Sequence, residues 1–199
     1  MDAYATRGLI TTAEQLDALY DEPAWAARAK QCDAIIAPYR AFIEAAPYVM
    51  MATAGPEGTD CSSRGGEPGF VRVLNEQTLH IPDYGGNNRI ESLRNIVRDG
   101  RIALHFLIPG CGETLRVKGS AVVSAAPELI AGFAASGKAP KTVIVVTVAQ
   151  AYYHCAKAVT RARLWDVARQ VHRETLPSVN AMLAAVQWHR CRSALTGAG

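Results

Sequence analysis

The residues of this chain best equipped for chemistry are cationic, hydroxylic and amidic rather than nucleophilic. Ser62-Ser63-Arg64-Gly65-Gly66 sets two hydroxyls and a guanidinium beside a glycine pair, and Gly85-Gly86-Asn87-Asn88-Arg89 repeats the theme with two carboxamides. Thr114 and Arg116 follow on an alternating stretch, and the segment from His154 through Lys157 to Trp165 offers an imidazole, an ammonium and an indole. Guanidinium groups match phosphate oxygens in planar pairs, while hydroxyls and backbone N–H groups supply the remaining donors. A phosphate-bearing ligand is the chemistry these types suit. Each piece also has a plainer reading: a turn with a solvated arginine, the outer face of a strand, a core aromatic. Convergence in space decides between them.

Nucleophilic and acid–base machinery is not legible. The chain has no G-x-S-x-G, no H-E-x-x-H and no G-x-G-x-x-G after a strand. Its acidic residues are scattered through helices and turns, which gives a two-carboxylate mechanism no support. No catalytic side chain is assigned, so a bound cofactor would carry any reaction. Five dispersed cysteines (Cys32, Cys61, Cys111, Cys155, Cys191) without a C-x-x-C pair suit reduced thiols rather than disulfides or zinc, and no metal site is expected. A formal charge of +3 without a basic block gives no reason to expect nucleic acid. The longest apolar run, near 143–148, is too short for a membrane span. The first residues lack a signal-peptide layout, so a cytoplasmic location is expected.

The elements that must position these residues follow from periodicity. Residues 11–46 read as helical, with Thr12 and Gln15 as a capping box, Pro23 opening a second helix, and a stripe through Ile35, Tyr39, Phe42 and Ile43 that Pro38 kinks or divides. From Tyr48 the texture is strands and turns. A β run over 78–81 stops at Pro82, the Gly-Gly-Asn-Asn loop takes positive φ at its glycines and caps the next helix with its asparagines, and Ile90, Leu93, Ile96 and Val97 form that helix's apolar stripe. Residues 101–108 are apolar on both faces and predict a doubly buried strand. Residues 114–124 alternate cleanly, and 142–148 are β-branched and central. A short helix starts at Pro127. Residues 165–195 read as helical in two segments broken at Pro177, with Val167, Val171, Leu183 and Val186 as apolar positions. The fold class is mainly β with peripheral helices: an antiparallel, Greek-key-like split β-barrel in a single domain over 1–199, with helices over 1–46, the barrel over 47–160 and helices again over 161–199.

Several motifs occur in a familiar order: Ser63-Arg64-Gly65, Pro68-Gly69-Phe70-Val71, Ile81-Pro-Asp, Gly86-Asn87, Ile102-Ala-Leu-His-Phe, Pro109-Gly110, Leu115-Arg-Val and His154-Cys-Ala-Lys157. Over about residues 33–166 the chain resembles the pyridoxamine 5'-phosphate oxidase superfamily, and within it the flavin-nucleotide-binding branch. The resemblance implies an FMN-binding split barrel, a homodimer with FMN in a cleft between subunits, and an FMN-dependent oxidoreductase acting on an unknown small molecule. Carried over by position, Arg64 matches a phosphate-contacting arginine that opens the family's second strand. Arg89 falls where the family has a phosphate-binding lysine, with Asn87 and Asn88 on the polar residues before it. Ser62 and Ser63 would add hydrogen bonds and Arg116 would join the cofactor set. Thr114 stands where the oxidases have a flavin-contacting glutamine, a departure. Substrate-side candidates are His154, Lys157 and Trp165. Arg163-Leu-Trp165 only loosely echoes the oxidases' signature for pyridoxal phosphate substrates, so true pyridoxamine phosphate oxidase activity is not expected. Two alternatives stay open: a flavin-binding carrier or sensor without turnover, and a relative that uses deazaflavin or haem.

Overall fold

The β-branched run at 142–148 needs both of its edges paired, and it obtains them. In the computed structural model, which describes residues 7–134 and 138–196, this run lies in a 13-residue strand that is hydrogen-bonded on both sides. The strands are β1 (Tyr48–Gly55), β2 (Gly58–Gly65), β3 (Arg72–Asn75), β4 (Thr78–Asp83), β5 (Arg101–Leu107), β6 (Thr114–Ser124) and β7 (Thr142–His154). They form one sheet in the order β2-β1-β5-β6-β7-β4-β3, antiparallel at every pairing. Neighbours far apart in sequence, such as β1 with β5 and β4 with β7, make the topology Greek-key-like. This is the expected split-barrel class.

The chain divides into two compact units with the boundary between Ala156 and Lys157. In the first unit, alternation builds the core: Val49 and Met51, Ile102, Leu104 and Phe106, Leu115 and Val117, and Ile144, Val146 and Val148 are buried on the inner side. Helix α3 (Ala37–Ala45) adds Tyr39 and Ile43, and its Arg40 donates to the Val73 carbonyl at 2.8 Å. Complete burial of Ile43 is worth about 1.5–3 kcal/mol. Helices α1 (Ala13–Asp17) and α2 (Trp25–Ala29) bury nothing.

Several expectations need correction. Pro38 does not kink a longer helix but sits in the first turn of α3, where its missing N–H costs nothing. Thr12 does cap α1, accepting from the Gln15 N–H at 3.3 Å, but the Gln15 side chain reaches back to the N–H of Thr11 rather than of Thr12. β4 does not stop at Pro82: it continues to Asp83, with Pro82 opposite Val143. β3 pairs only as far as His80, so beyond it β4 has an open edge that tolerates a missing N–H. β5 is buried on one face only, with Ala103, His105 and Leu107 half-exposed on the other. His105 breaks the apolar run on that face.

Helix α4 (Glu91–Arg98) departs most from its predicted stripe. It buries Ser92, Asn95 and Ile96, whereas Val97 is exposed. Asn95 donates to the buried Thr53 hydroxyl at 3.2 Å, and its amide occupies the space beside Gly55 that any Cβ would need. The anchoring of α4 to the sheet is therefore polar as well as apolar, with Ile96 in the core and Leu93 packed against it, and an apolar stripe cannot reveal the polar part. A short helix α5 (Pro127–Phe133) follows β6.

The second unit contains α6 (Lys157–Ala162), two single 3-10 turns (Val167–Arg169 and Arg173–Thr175) and α7 (Val179–Thr196). The predicted helix before Pro177 is thus two short turns, and Val167, Val171, Leu183 and Val186 are exposed rather than buried. The outermost parts of the two predicted helical regions, 1–6 and 197–199, lie outside the described residues. Among the described residues no helix is long and apolar enough to cross a membrane.

Candidate functional site

Strand alternation sorts the sequence-predicted residues into two groups. On β2, Asp60, Ser62 and Arg64 are half-buried on one face, while Cys61 and Ser63 are exposed on the other. Ser62 and Ser63 therefore cannot serve the same face.

The first group forms a cleft of about 350 Å³ lined by Arg64, Asp83, Tyr84, Gly85, Gly86, Asn87, Asn88, Lys141 and Thr142 together with Ile90 and Leu93. Beside it lies a smaller recess of about 180 Å³ that shares Arg64, Asn87 and Ile90 and adds Ser62, Arg89, Glu91, Ser92 and Asp60. The structure thus gathers Ser62, Arg64, Asn87, Asn88 and Arg89 around one region, with Arg64 next to last in β2. The loop reaches this position through left-handed backbone at Asn88 (φ 59°) and Ile90 (φ 47°), not at the glycines. Asn tolerates that conformation, but a β-branched Ile does so only under strain. The asparagines do not cap α4 either. Ile90 is its N-cap and makes no side-chain cap, and Asn87 closes the turn by accepting from the Arg89 N–H at 3.1 Å.

Electrostatics separate the two arginines. Arg89 is 71% exposed in its side chain and pairs with Glu91 at 2.6 Å. Arg64 is mostly covered and lies 3.3 Å from the Asp83 carboxylate. Burial pushes the Asp83 carboxyl above its ordinary range, against the opposing pull of Arg64 and Lys141. Arg64 Nε and Thr142 Oγ1 are both buried without a hydrogen-bond partner. Unpaired buried donors of this kind cost about 1–3 kcal/mol each, and an incoming acceptor would satisfy them. Behind Arg64, Ser92 (3% exposed) donates to Asp60 and shares a 2.8 Å hydrogen bond with Ser62, tying α4 to β2.

The second group lies on the outward face of the sheet. Ser63, Met50, His105, Arg116 and Tyr152 stand directly opposite one another across β2, β1, β5, β6 and β7, and Thr114 pairs with His154 in the adjoining row. The Arg116 guanidinium sits 5.5 Å from the Tyr152 ring centre, and the rings of His105 and His154 are 6.3 Å apart. Burial, then Arg116 and His154, hold the His105 pKa below its usual value. Ser63, Thr114, Arg116 and His154 therefore share one face, separate from the cleft at Arg64. Lys157 and Trp165 belong to the second unit, Lys157 exposed at the start of α6 and Trp165 half-buried in the turn after it. Among the described residues, no group of three or more His, Cys, Asp or Glu could hold a metal ion.

The family model for pyridoxamine 5'-phosphate oxidase matches residues 35–155. The chain belongs to this family. The match spans α3 and all seven strands, so both residue groups apart from Lys157 and Trp165 fall within the matched segment. Among solved structures, HupZ from Group A Streptococcus is 18% identical, covering 60% of this chain and 99% of its own, with a TM-score of 0.51. A Clostridium acetobutylicum protein related to general stress protein 26, of the pyridoxinephosphate oxidase family, is 13% identical over 61% of this chain and 88% of its own, with a TM-score of 0.43. An FAD binding protein from Mycobacterium smegmatis is 10% identical over 62% and 97%, with a TM-score of 0.40. At these identities HupZ shows a shared fold and nothing about ligands. Among curated proteins none matches the chain.

Asp83, Lys141, Thr142 and His105 were not singled out from the sequence. Asp83 ends the Ile-Pro-Asp motif, and His105 interrupts an apolar strand, so both left a signal. Lys141 and Thr142 left none, because only the β4·β7 pairing, with Asp83 opposite Thr142, brings them to the cleft.

Proposed function

We propose that this member of the pyridoxamine 5'-phosphate oxidase family binds FMN and acts as an FMN-dependent oxidoreductase on a small molecule. The observation that carries the reading is the pair of buried, partnerless donors, Arg64 Nε and Thr142 Oγ1, in a cleft edged by the Asn87-Asn88 loop. Their chemistry fits a phosphate monoester, whose oxygens accept several hydrogen bonds at once. Arg64 would neutralise the phosphate, and Ser62, Asn87 and Asn88 would add donors at its rim. Arg89, paired with Glu91, would contribute only by leaving that pair.

When bound, the flavin supplies the hydride chemistry, so this chain needs no side-chain nucleophile. The chain's own part is to bind, orient and shield. The outward row of Ser63, His105, Arg116 and Tyr152, with Thr114 and His154 beside it, offers hydrogen bonds and one fixed charge on a face where Tyr152 and Thr114 are buried and the others are at least partly exposed. In a homodimer a second copy would cover that face and close the site between subunits. His154, Lys157 and Trp165 remain the substrate-side candidates. The family membership and the dispersed cysteines support a flavoprotein of the cytoplasm.

Purified protein is expected to be yellow and to release FMN on denaturation, identified by its mass. Arg64→Met should weaken FMN by about 30-fold or more, the loss of roughly 2 kcal/mol from charge-assisted hydrogen bonds, and should leave riboflavin binding unchanged. A colourless protein that ignores added FMN refutes the reading. A yellow protein that neither oxidises nor reduces nicotinamide or dye partners is the carrier or sensor instead. A released deazaflavin or haem identifies the remaining alternative.

A further inference from the structure

Asp83 is an odd resident for an anion site. Asp83 pairs with Thr142 in the β4·β7 ladder, and its carboxylate lies 3.3 Å from Arg64 Nη2. Lys141 reaches the same place by two routes. Its N–H donates to the Asp83 carbonyl at 2.9 Å, and its side chain lies over Gly85, where an added Cβ would sit 3.0 Å from Cε and 3.5 Å from Nζ. Gly85 leaves room there for the flexible end of the lysine. Two cations, one carboxylate and two unsatisfied buried donors face a single cleft. The carboxylate engages Arg64 at Nη2 and leaves Nε and Thr142 Oγ1 unused. A ligand with three acceptor oxygens could use them all, and with a charge near −2 it would attract both cations more strongly than one carboxylate does.

We propose that Asp83 is a placeholder anion that pairs with Arg64 and attracts Lys141 over the cleft at longer range, and that a phosphate monoester binds by taking Arg64 from it and drawing Lys141 in. Lys141 is then the second cation of the anion site, the role the sequence had given to Arg89. This rests on the FMN reading above. Asp83 works against binding as well as preparing it, because its negative charge stays beside the incoming phosphate. Its burial, which already disfavours the ionised carboxyl, makes it easy to displace.

The test is a flavin-fluorescence titration of full-length wild type, Lys141→Met and Asp83→Asn with FMN and with riboflavin, which lacks the phosphate. Lys141→Met should weaken FMN about tenfold without changing riboflavin, and Asp83→Asn should tighten FMN at least threefold, again without changing riboflavin. Lys141 is exposed, so its variant carries little folding risk and keeps the test open if Asp83→Asn proves unstable. FMN affinity within twofold of wild type in Lys141→Met, or weaker FMN binding in a folded Asp83→Asn, overturns the inference while leaving the FMN reading intact. Wild type that binds neither flavin overturns both.

Discussion

Ser92→Ala probes how the cleft is held together. Ser92 is buried in the first turn of α4, donates to the Asp60 carboxylate and exchanges a hydrogen bond with Ser62. A hydroxyl has one hydrogen, so with Ser92 donating to Asp60, Ser62 must be the donor in the other bond. The three residues form a directed chain from Ser62 through Ser92 to Asp60, joining β2 to the helix whose approach loop carries Asn87 and Asn88. A hydrogen bond to a charged group contributes about 1.5–3 kcal/mol and a neutral one about 0.5–1.5. Asp60 and Ser62 are only half-buried, so water recovers part of this in the variant. A net loss of about 1–2 kcal/mol is expected, lowering the melting temperature by roughly 3–6 °C for a folded unit of this size. The assay is a double-mutant cycle by chemical denaturation with Asp60→Asn as the second change. The structure requires a coupling of about 1 kcal/mol or more between the two sites. Additivity to within about 0.5 kcal/mol would refute the chain of bonds, since independent sites add to that precision.

Two further outcomes follow from the packing. His105 and His80 are both held below the ordinary histidine pKa, chiefly by burial, with Arg116 and His154 acting on the first and Arg72 on the second. A depressed histidine pKa means the unfolded chain takes up the proton first, so stability should fall as pH drops below about 6.5. His105→Gln and His80→Gln should each flatten that slope in melts at stepped pH, and an unchanged slope in both single variants would contradict it. Gly119 sits at the register shift between β6 and β7, where a Cβ would meet the Thr147 carbonyl oxygen at 1.9 Å. The obstacle is backbone, so Gly119→Ala should cost about 1–3 kcal/mol in a urea titration, and a change below about 0.5 kcal/mol would show that the strand pair shifts freely.

Much of this protein was legible without coordinates. Period-two alternation at 114–124, the β-branched run at 142–148 and turn signals such as Asp99-Gly100, where Gly100 adopts φ 78°, are local features, and local features survive folding. The phosphate-suited chemistry of Ser62, Arg64 and the Asn87-Asn88 loop was legible too, but only the structure brought them to one region. The face of each residue was harder. Ser62 and Ser63 look alike in the sequence, yet alternation sends one to the cleft and the other to a row with His105 and Arg116. Of the apolar residues the sequence offered for the buried side of α4, Ile96 and Leu93 reach the core and Val97 does not, and the structure adds Ser92 and Asn95, because Gly55, Thr53 and Asp60 present a polar seat there. In the second unit, Val167, Val171, Leu183 and Val186 have helical spacing but bury nothing. The amino acids by themselves determined most of the elements and which side chains are suited to a phosphate. Only tertiary structure decided that Lys141 and Thr142 line the cleft with Arg64, because a strand pairing between residues distant in the chain is set by packing of the whole sheet and leaves no trace in local propensity.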